Sequence, residues 1–600
     1  MSHSYSESRR RFLTLTGAGL IGASALQRPA FGAEMRAMKG RGEVLANPAF
    51  KPDVEINLWA RQSEVAILEG RKTGVFRFEA ERLLGPSDSV IELPQSYLGP
   101  LLQFRKGQRV RIHFKNAIPE DSIVHWHGLH VPADQDGHPT DAISEGQQRV
   151  FEFEVMNRAG FHIYHPHPHE RTASQVYYGL AGGILIRDSE EDRLELPSGA
   201  EEIPLVIQDR RFDANNQLVY RTTMHDRTLG YVGDRILVNG RADARFEVSS
   251  RAHRLRVLNG SNARIYKLAW SDGTPVTFIG VDGGLLEVPE HRPYVMLAPG
   301  ERLDLWIDFS GRPVGSELVL NSLSFRGAMP AMHEEMMSGR GGSSGPMSHH
   351  GLPVGGLFAI ARFKVTKQVQ DSKKLPTHLS TFRHYRTADV ANPDRPVPIG
   401  VSEGPGSMLL NGRPYAENDV QAFEKIPVNS LQLIEIFHAH GGGEGHRPEV
   451  NRSLSEGSHA EHDGTPGGRR QDPKPQSGDS ADPDQHASMG GMGGMGGMGG
   501  MGGMGGMGGM GMMLSMAHPI HLHGQQFQII SRSTGGMEAH GYETVREGLV
   551  SSGLKDTVLL MPGEKIRLIK PFDDYKGRFM YHCHNLEHED LGMMREFEIY

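Results

Sequence analysis

The feature that most constrains this chain is a short turn-and-strand pattern that occurs three times. Lys106-Gly107-Gln108-Arg109-Val110-Arg111-Ile112 returns as Pro299-Gly300-Glu301-Arg302-Leu303-Asp304-Leu305 and again as Pro562-Gly563-Glu564-Lys565-Ile566-Arg567-Leu568. Each copy couples a glycine turn to residues that alternate polar and apolar, the period of a half-buried strand. The same alternation runs through Phe151-Glu152-Phe153-Glu154-Val155 and Arg254-Leu255-Arg256-Val257. Gly107 and Gly300 are 193 residues apart, Gly300 and Gly563 are 263 apart, and the surplus matches one insert in the last unit. The expectation is an all-β chain of three similar domains over 50–190, 200–366 and 376–600, with borders near 187–200 and 366–376.

The insert spans about Gly441 to Met513 and ends in Met-Gly-Gly repeats from Met489 to Met510. Such a composition buries too little apolar surface to fold and is expected to be disordered. A shorter Met/His segment runs from Met329 to His350. At the N-terminus, Ser8-Arg9-Arg10-Arg11-Phe12-Leu13 precedes a mildly apolar run to Leu26 and small residues near Ala30-Phe31-Gly32-Ala33. Residues 1–33 read as a twin-arginine export signal, and the run is too short to span a bilayer. Periplasmic delivery by the twin-arginine machinery is the expectation.

The single cysteine, Cys583, excludes a disulfide framework within the chain. A net charge of −8 leaves no basic footprint for nucleic acid. The informative excess is 31 histidines and 28 methionines, side chains that suit copper.

Four His-x-His pairs concentrate that excess: His125-Trp126-His127, His165-Pro166-His167, His521-Leu522-His523 and His582-Cys583-His584. In a strand, residues two apart share a face, so each pair is a two-pronged clamp. Cys583 points away from His582 and His584. His518, three residues before His521, likewise points away from His521 and His523. Both strands therefore offer one ligand to a mononuclear site and two to a cluster. His588 and Met593 follow Cys583 closely enough to return to its sulfur, and cysteine, histidines and a weak axial methionine make a blue copper ligand set.

These motifs, with His125-Trp126-His127-Gly128, Tyr164-His165-Pro166-His167, His518-Pro519-Ile520-His521-Leu522-His523-Gly524 and the stretch from His582 to Met594, resemble the four copper motifs of multicopper oxidases. Gln175-Val176, Gly179-Leu180-Ala181-Gly182-Gly183 and Leu586-Glu587-His588-Glu589-Asp590 are most similar to bacterial copper-efflux cuprous oxidases. The resemblance implies three cupredoxin-like Greek-key β-sandwich domains and four copper ions. It implies His518, Cys583, His588 and Met593 as type 1 ligands, and His125 and His521 as type 2 ligands. His127, His165, His167, His523, His582 and His584 fall to the type 3 pair. Electrons entering at Cys583 would reduce dioxygen to water, with Asp136 and Glu589 as proton donors. His130, His138 and His169 are read as supporting or surface residues, and Trp126 as packing.

Cuprous-oxidase relatives carry an auxiliary Cu(I) site of methionine and aspartate. Met516 stands where that methionine falls, whereas Leu514 replaces the aspartate. Three functions follow: a Cu(I) oxidase in copper tolerance, a laccase-type phenol oxidase, and a copper-sequestering protein without turnover. Dioxygen with Cu(I) or a phenol are the expected partners, and a monomer the expected state.

Overall fold

Alternating strands of short period cannot bury both faces alone, so they pair face to face. In the computed structural model, residues 44–337, 352–404, 406–439, 515–535 and 539–600 are described. The leader, most of Met329–His350 and the Met-Gly-Gly insert lie outside them. The described residues belong to one compact unit, and strand dominates it.

Six sheets form three successive pairs. The first pair packs a four-stranded sheet containing Val54–Val65 and Arg109–Ala117 against a five-stranded sheet containing Val124–His127 and Gly160–Pro166. Ile112, Phe114, Trp126, Tyr164 and Ile184 fill the space between. The second pair joins a seven-stranded and a five-stranded sheet around Leu255, Val257, Leu268, Phe278 and Phe363. The third joins two five-stranded sheets, with Ile434, Ile520, Leu568, Tyr581 and Cys583 in its core. The cupredoxin-like, all-β expectation holds.

The repeat is less regular than its sequence. All three glycines take positive φ, +88° at Gly107, +82° at Gly300 and +67° at Gly563, a conformation that favours glycine. Arg302–Asp308 and Glu564–Phe572 each run antiparallel to a strand that itself pairs in parallel with the first strand of its sheet. Arg109–Ala117 instead occupies that parallel position, against Val54–Val65. The topological counterpart in the first pair is Gln148–Glu154, which follows Gly146 at φ +84°. The similarity is local because any tight entry into a half-buried strand selects a glycine and alternation.

The histidine strands come into the expected registers. Val124–His127 pairs with Gly160–Pro166 so that His125 faces His165. His518–Leu522 pairs with Gly577–Cys583, bringing Ile520 opposite Cys583 and His521 opposite His582.

Candidate metal centre

Two buried constellations form, one within the third sheet pair and one where the first and third sheet pairs meet. The smaller one is built on Cys583, at the end of Gly577–Cys583. Its Sγ is 3.5 Å from His518 Nδ1 and 3.6 Å from His588 Nδ1. The helix Leu586–Asp590 turns the chain back, and Met593 O accepts from Cys583 N at 3.0 Å. Met593 is fully buried in the core that holds Cys583. The outer nitrogens of both imidazoles are fixed: His518 Nε2 lies 2.8 Å from Glu403 Oε1, and His588 Nε2 lies 2.9 Å from Thr228 O. Nδ1 of each ring is thereby left to face the sulfur, the second-partner arrangement expected of a metal-binding imidazole. Burial pushes the Cys583 thiol well above its ordinary range and lowers His588 to about 3.

The larger constellation gathers the four His-x-His pairs. His125 stacks on His523 with ring centroids 3.8 Å apart, and His127 stacks on His521 at 3.7 Å. His582 Nε2 is 3.1 Å from His523 Nε2 and 3.3 Å from His167 Nε2. His165 and His584 close the group, 5.4 Å between ring centroids. All eight are buried. His125 Nε2, His127 Nδ1, His165 Nε2, His167 Nδ1, His521 Nε2 and both ring nitrogens of His584 have no hydrogen-bond partner. Buried polar atoms in native proteins are nearly always satisfied, so a convergent set of orphaned imidazole nitrogens is the signature of a metal-ligand cage. Burial first, and the neighbouring imidazoles second, drive His127, His167, His521, His523 and His584 well below their usual value. His165 falls to about 3. Neutral imidazole is the form that binds metal. The donor set fits copper, with thiolate and thioether at one site and imidazole at the other.

The two constellations are joined by the chain itself, since Cys583 lies between His582 and His584. Asp136 and Glu589 both reach the imidazole cage. Asp136 Oδ2 is 2.7 Å from His523 Nδ1, and its main-chain oxygen 2.7 Å from His125 Nδ1. Burial alone would raise the Asp136 carboxyl, but the imidazoles of His523 and His125 outweigh it and hold it below the usual range. Glu589 Oε2 is 3.1 Å from His582 Nδ1.

The remaining sequence candidates separate cleanly. His130 Nε2 contacts Asp574 at 2.9 Å and His138 Nε2 contacts Glu596 at 3.0 Å, away from the cage. His169 is partly exposed beside Tyr415. Trp126 packs edge-on against Phe151 at 5.2 Å. Met516 is buried with Leu229 and Met329, and its N–H donates to Glu403 Oε1 at 3.2 Å. Leu229 and Met329 also line a cavity of about 350 Å³ with His225, Phe325, His333 and Glu334.

Sequence reasoning missed Asp556, Arg302 and Glu403. Asp556 Oδ1 lies 3.1 Å from His127 Nε2, and its carbonyl lies 2.8 Å from His521 Nδ1. Arg302, from the second sheet pair, donates Nη1–H to Asp556 Oδ1 at 2.6 Å. A lone acid in the otherwise uncharged strand Val397–Gly404 is the one sequence signal that marks Glu403.

Two models of the multicopper oxidase family match residues 77–191 and 507–600, the segments that carry these histidines and Cys583. This chain belongs to the multicopper oxidase family. It is similar to multicopper oxidase mco of Staphylococcus haemolyticus, 27% identical over 502 residues, covering 84% of this chain and 82% of that one. A laccase of Bacillus stratosphericus is 27% identical over 552 residues, covering 84% and 89%. Among solved structures, McoA multicopper oxidase from Aquifex aeolicus superposes with a TM-score of 0.65 at 27% identity, covering 92% of this chain and 97% of that one. The multicopper oxidase is thus an oxidoreductase with copper as its cofactor and dioxygen as its acceptor. No helix among its described residues is long and apolar enough to cross a membrane.

Proposed function

We propose that this multicopper oxidase turns Cu(I) into Cu(II) at the expense of dioxygen, as a periplasmic protein of copper tolerance. The observation that carries the reading is the buried Leu229–Met329–Met516 cluster. It lies between the cavity and Glu403, the carboxylate that holds His518. Two thioethers there offer Cu(I) the soft ligands it prefers. The 329–350 segment thus contributes at least Met329 to the methionine Met516, in place of the aspartate that Leu514 replaces. The cavity's apolar walls, including Phe325, Leu229 and Val354, favour a second substrate class of small phenols.

Four copper ions are proposed. His518, Cys583, His588 and Met593 would hold one, and His125 and His521 another. His127, His165, His167, His523, His582 and His584 would hold the remaining two. The orphaned nitrogens and the 3.5 and 3.6 Å sulfur contacts support the assignment. Bound copper supplies one-electron redox chemistry at each position. The protein's part is to hold ligands and protons. Glu403 and the Thr228 carbonyl lock two imidazoles with Nδ1 towards the sulfur. Asp136 keeps an ionised carboxylate against His523 and His125, and Glu589 sits against His582, so both can pass protons towards the cage. The buried cage excludes bulk water, which strengthens these charge interactions.

Domain borders over 50–190, 200–366 and 376–600 are proposed on the three sheet pairs, whose strands run from 54 to 187, 202 to 367 and 397 to 599. Residues 1–33 are proposed as the twin-arginine signal, and the working state as a monomer. Oxygen uptake by the copper-loaded protein, with Cu(I) and a phenol supplied separately, tests the reading. Uptake with Cu(I) that disappears in Cys583→Ser and weakens in Met516→Leu supports it. Uptake with phenol alone would make the protein a laccase, and copper binding without uptake would leave sequestration.

A further inference from the structure

Four tyrosines converge beside the helix that carries His588. Tyr177 and Tyr220 lie 4.8 Å apart between ring centroids, Tyr220 and Tyr231 4.9 Å, and Tyr177 and Tyr231 5.1 Å. Tyr178 extends the group, 6.1 Å from Tyr177 and 6.3 Å from Tyr220. Tyr177 and Tyr231 are buried, while Tyr178 and Tyr220 are partly exposed. The inner end is anchored chemically: Tyr220 donates its O–H to Glu587 Oε1 at 2.9 Å, and Glu587 is bonded to His588. Glu587 is also held by Asn262 Nδ2 at 2.9 Å and the Tyr231 N–H at 3.0 Å, so its orientation is fixed. None of the four rings lines the cavity against Met329.

We propose that these tyrosines are a redox relay between the cysteine copper position and the surface, which lets the protein oxidise phenols attached to polymers too large for the cavity. The inference rests on the copper oxidase reading. Packing alone explains a cluster of rings; phenylalanines would do as well. Packing does not explain a row of oxidisable phenols that ends on a carboxylate one residue from a ligand. The hydrogen bond from Tyr220 gives the phenolic proton a path of 2.9 Å when the ring is oxidised. Rings at these separations pass electrons by short hops.

Tyr220 gives one electron towards the copper that Cys583 and His588 would hold, and its phenolic proton crosses the 2.9 Å hydrogen bond to Glu587 Oε1. Tyr178, directly or through Tyr177, returns an electron to Tyr220, which recovers its proton from Glu587; the proton of Tyr178 leaves to solvent. The polymer-bound phenol then gives Tyr178 a hydrogen atom and becomes a phenoxyl radical. Four such donors reduce one dioxygen to two waters.

The test uses copper-loaded protein with two donors, a free methoxyphenol and the same phenol coupled to high-molecular-weight dextran. Reduced protein mixed with dioxygen is also freeze-quenched for electron paramagnetic resonance. The relay predicts oxidation of both donors and a tyrosyl radical signal. Tyr178→Phe, which keeps the ring, loses most of the dextran-phenol rate and alters the radical signal, while free phenol and Cu(I) oxidation hold. Tyr220→Phe removes both the dextran-phenol rate and the signal. Equal dextran-phenol rates in the wild type and both variants overturn the relay. Free-phenol oxidation without dextran-phenol oxidation does the same, and leaves the oxidase reading intact. Uptake with neither phenol nor Cu(I) overturns the oxidase reading and the relay together.

Discussion

Arg302→Met isolates the link between the second sheet pair and the imidazole cage. Arg302 is fully buried and donates to Asp556 Oδ1 at 2.6 Å, Gly300 O at 2.9 Å, Phe161 O at 3.0 Å and Asp282 O at 3.1 Å. Methionine fills much of the volume but leaves a buried carboxylate without its cation. Breaking a buried pair in this way costs about 3–5 kcal/mol. The three orphaned carbonyls add to that, though less than independently. An expected loss of about 4–6 kcal/mol is a large share of a typical folding stability of about 5–15 kcal/mol. Urea unfolding of the copper-free protein, followed by tryptophan fluorescence, measures it. Because Asp556 also contacts His127 and His521, copper per chain after dialysis should fall as well. The double variant with Asp556→Asn removes the stranded charge and should be less destabilised than the sum of the singles by about 1–3 kcal/mol. A single-variant loss below about 1 kcal/mol, or strict additivity, would refute the argument.

Acid should destabilise the copper-free protein. His165 and His588 have folded values of about 3 against an ordinary 6.5. The unfolded chain therefore binds more protons between these limits, and stability falls as pH drops through that window at about 1.4 kcal/mol per pH unit for each. Glu587, raised by burial to about 7, and Asp590, raised by burial and by neighbouring Glu589, oppose this with the reverse sign, but they are set against several imidazoles. Urea midpoints that rise on acidification below pH 6.5 would contradict the burial argument. Gly137→Ala should cost more than about 2 kcal/mol and deplete copper, since φ is +80° and the new Cβ would lie 2.0 Å from Val124 O, beside His125; copper content and urea midpoint report it. Met516→Leu, nearly isosteric, should cost less than about 1.5 kcal/mol while lowering Cu(I) oxidation and sparing phenols, as oxygen uptake would read.

Strand parity made the separation of Cys583 and His518 from their neighbouring histidine pairs legible in advance. Cys583 and His518 part from their neighbouring pairs because a period of two leaves no other choice, and the registers agree. The placement of Asp136 and Glu589 beside the imidazoles was legible by family resemblance. Asp556 and Arg302 were not, because their contact spans 254 residues and joins different sheet pairs; no local pattern marks which buried acid an arginine will meet. The first copy of the repeat misled for the opposite reason. Its turn chemistry is purely local, whereas its place in the sheet is set by pairing with Val54–Val65.

The cage is assembled from the first and third sheet pairs, as the contact between His167 and His582 across 415 residues illustrates. A chain still being synthesised holds only half of it until the last strands emerge and dock. Copper acquisition is therefore a certificate of completed folding: no truncated or stalled product can carry the full complement.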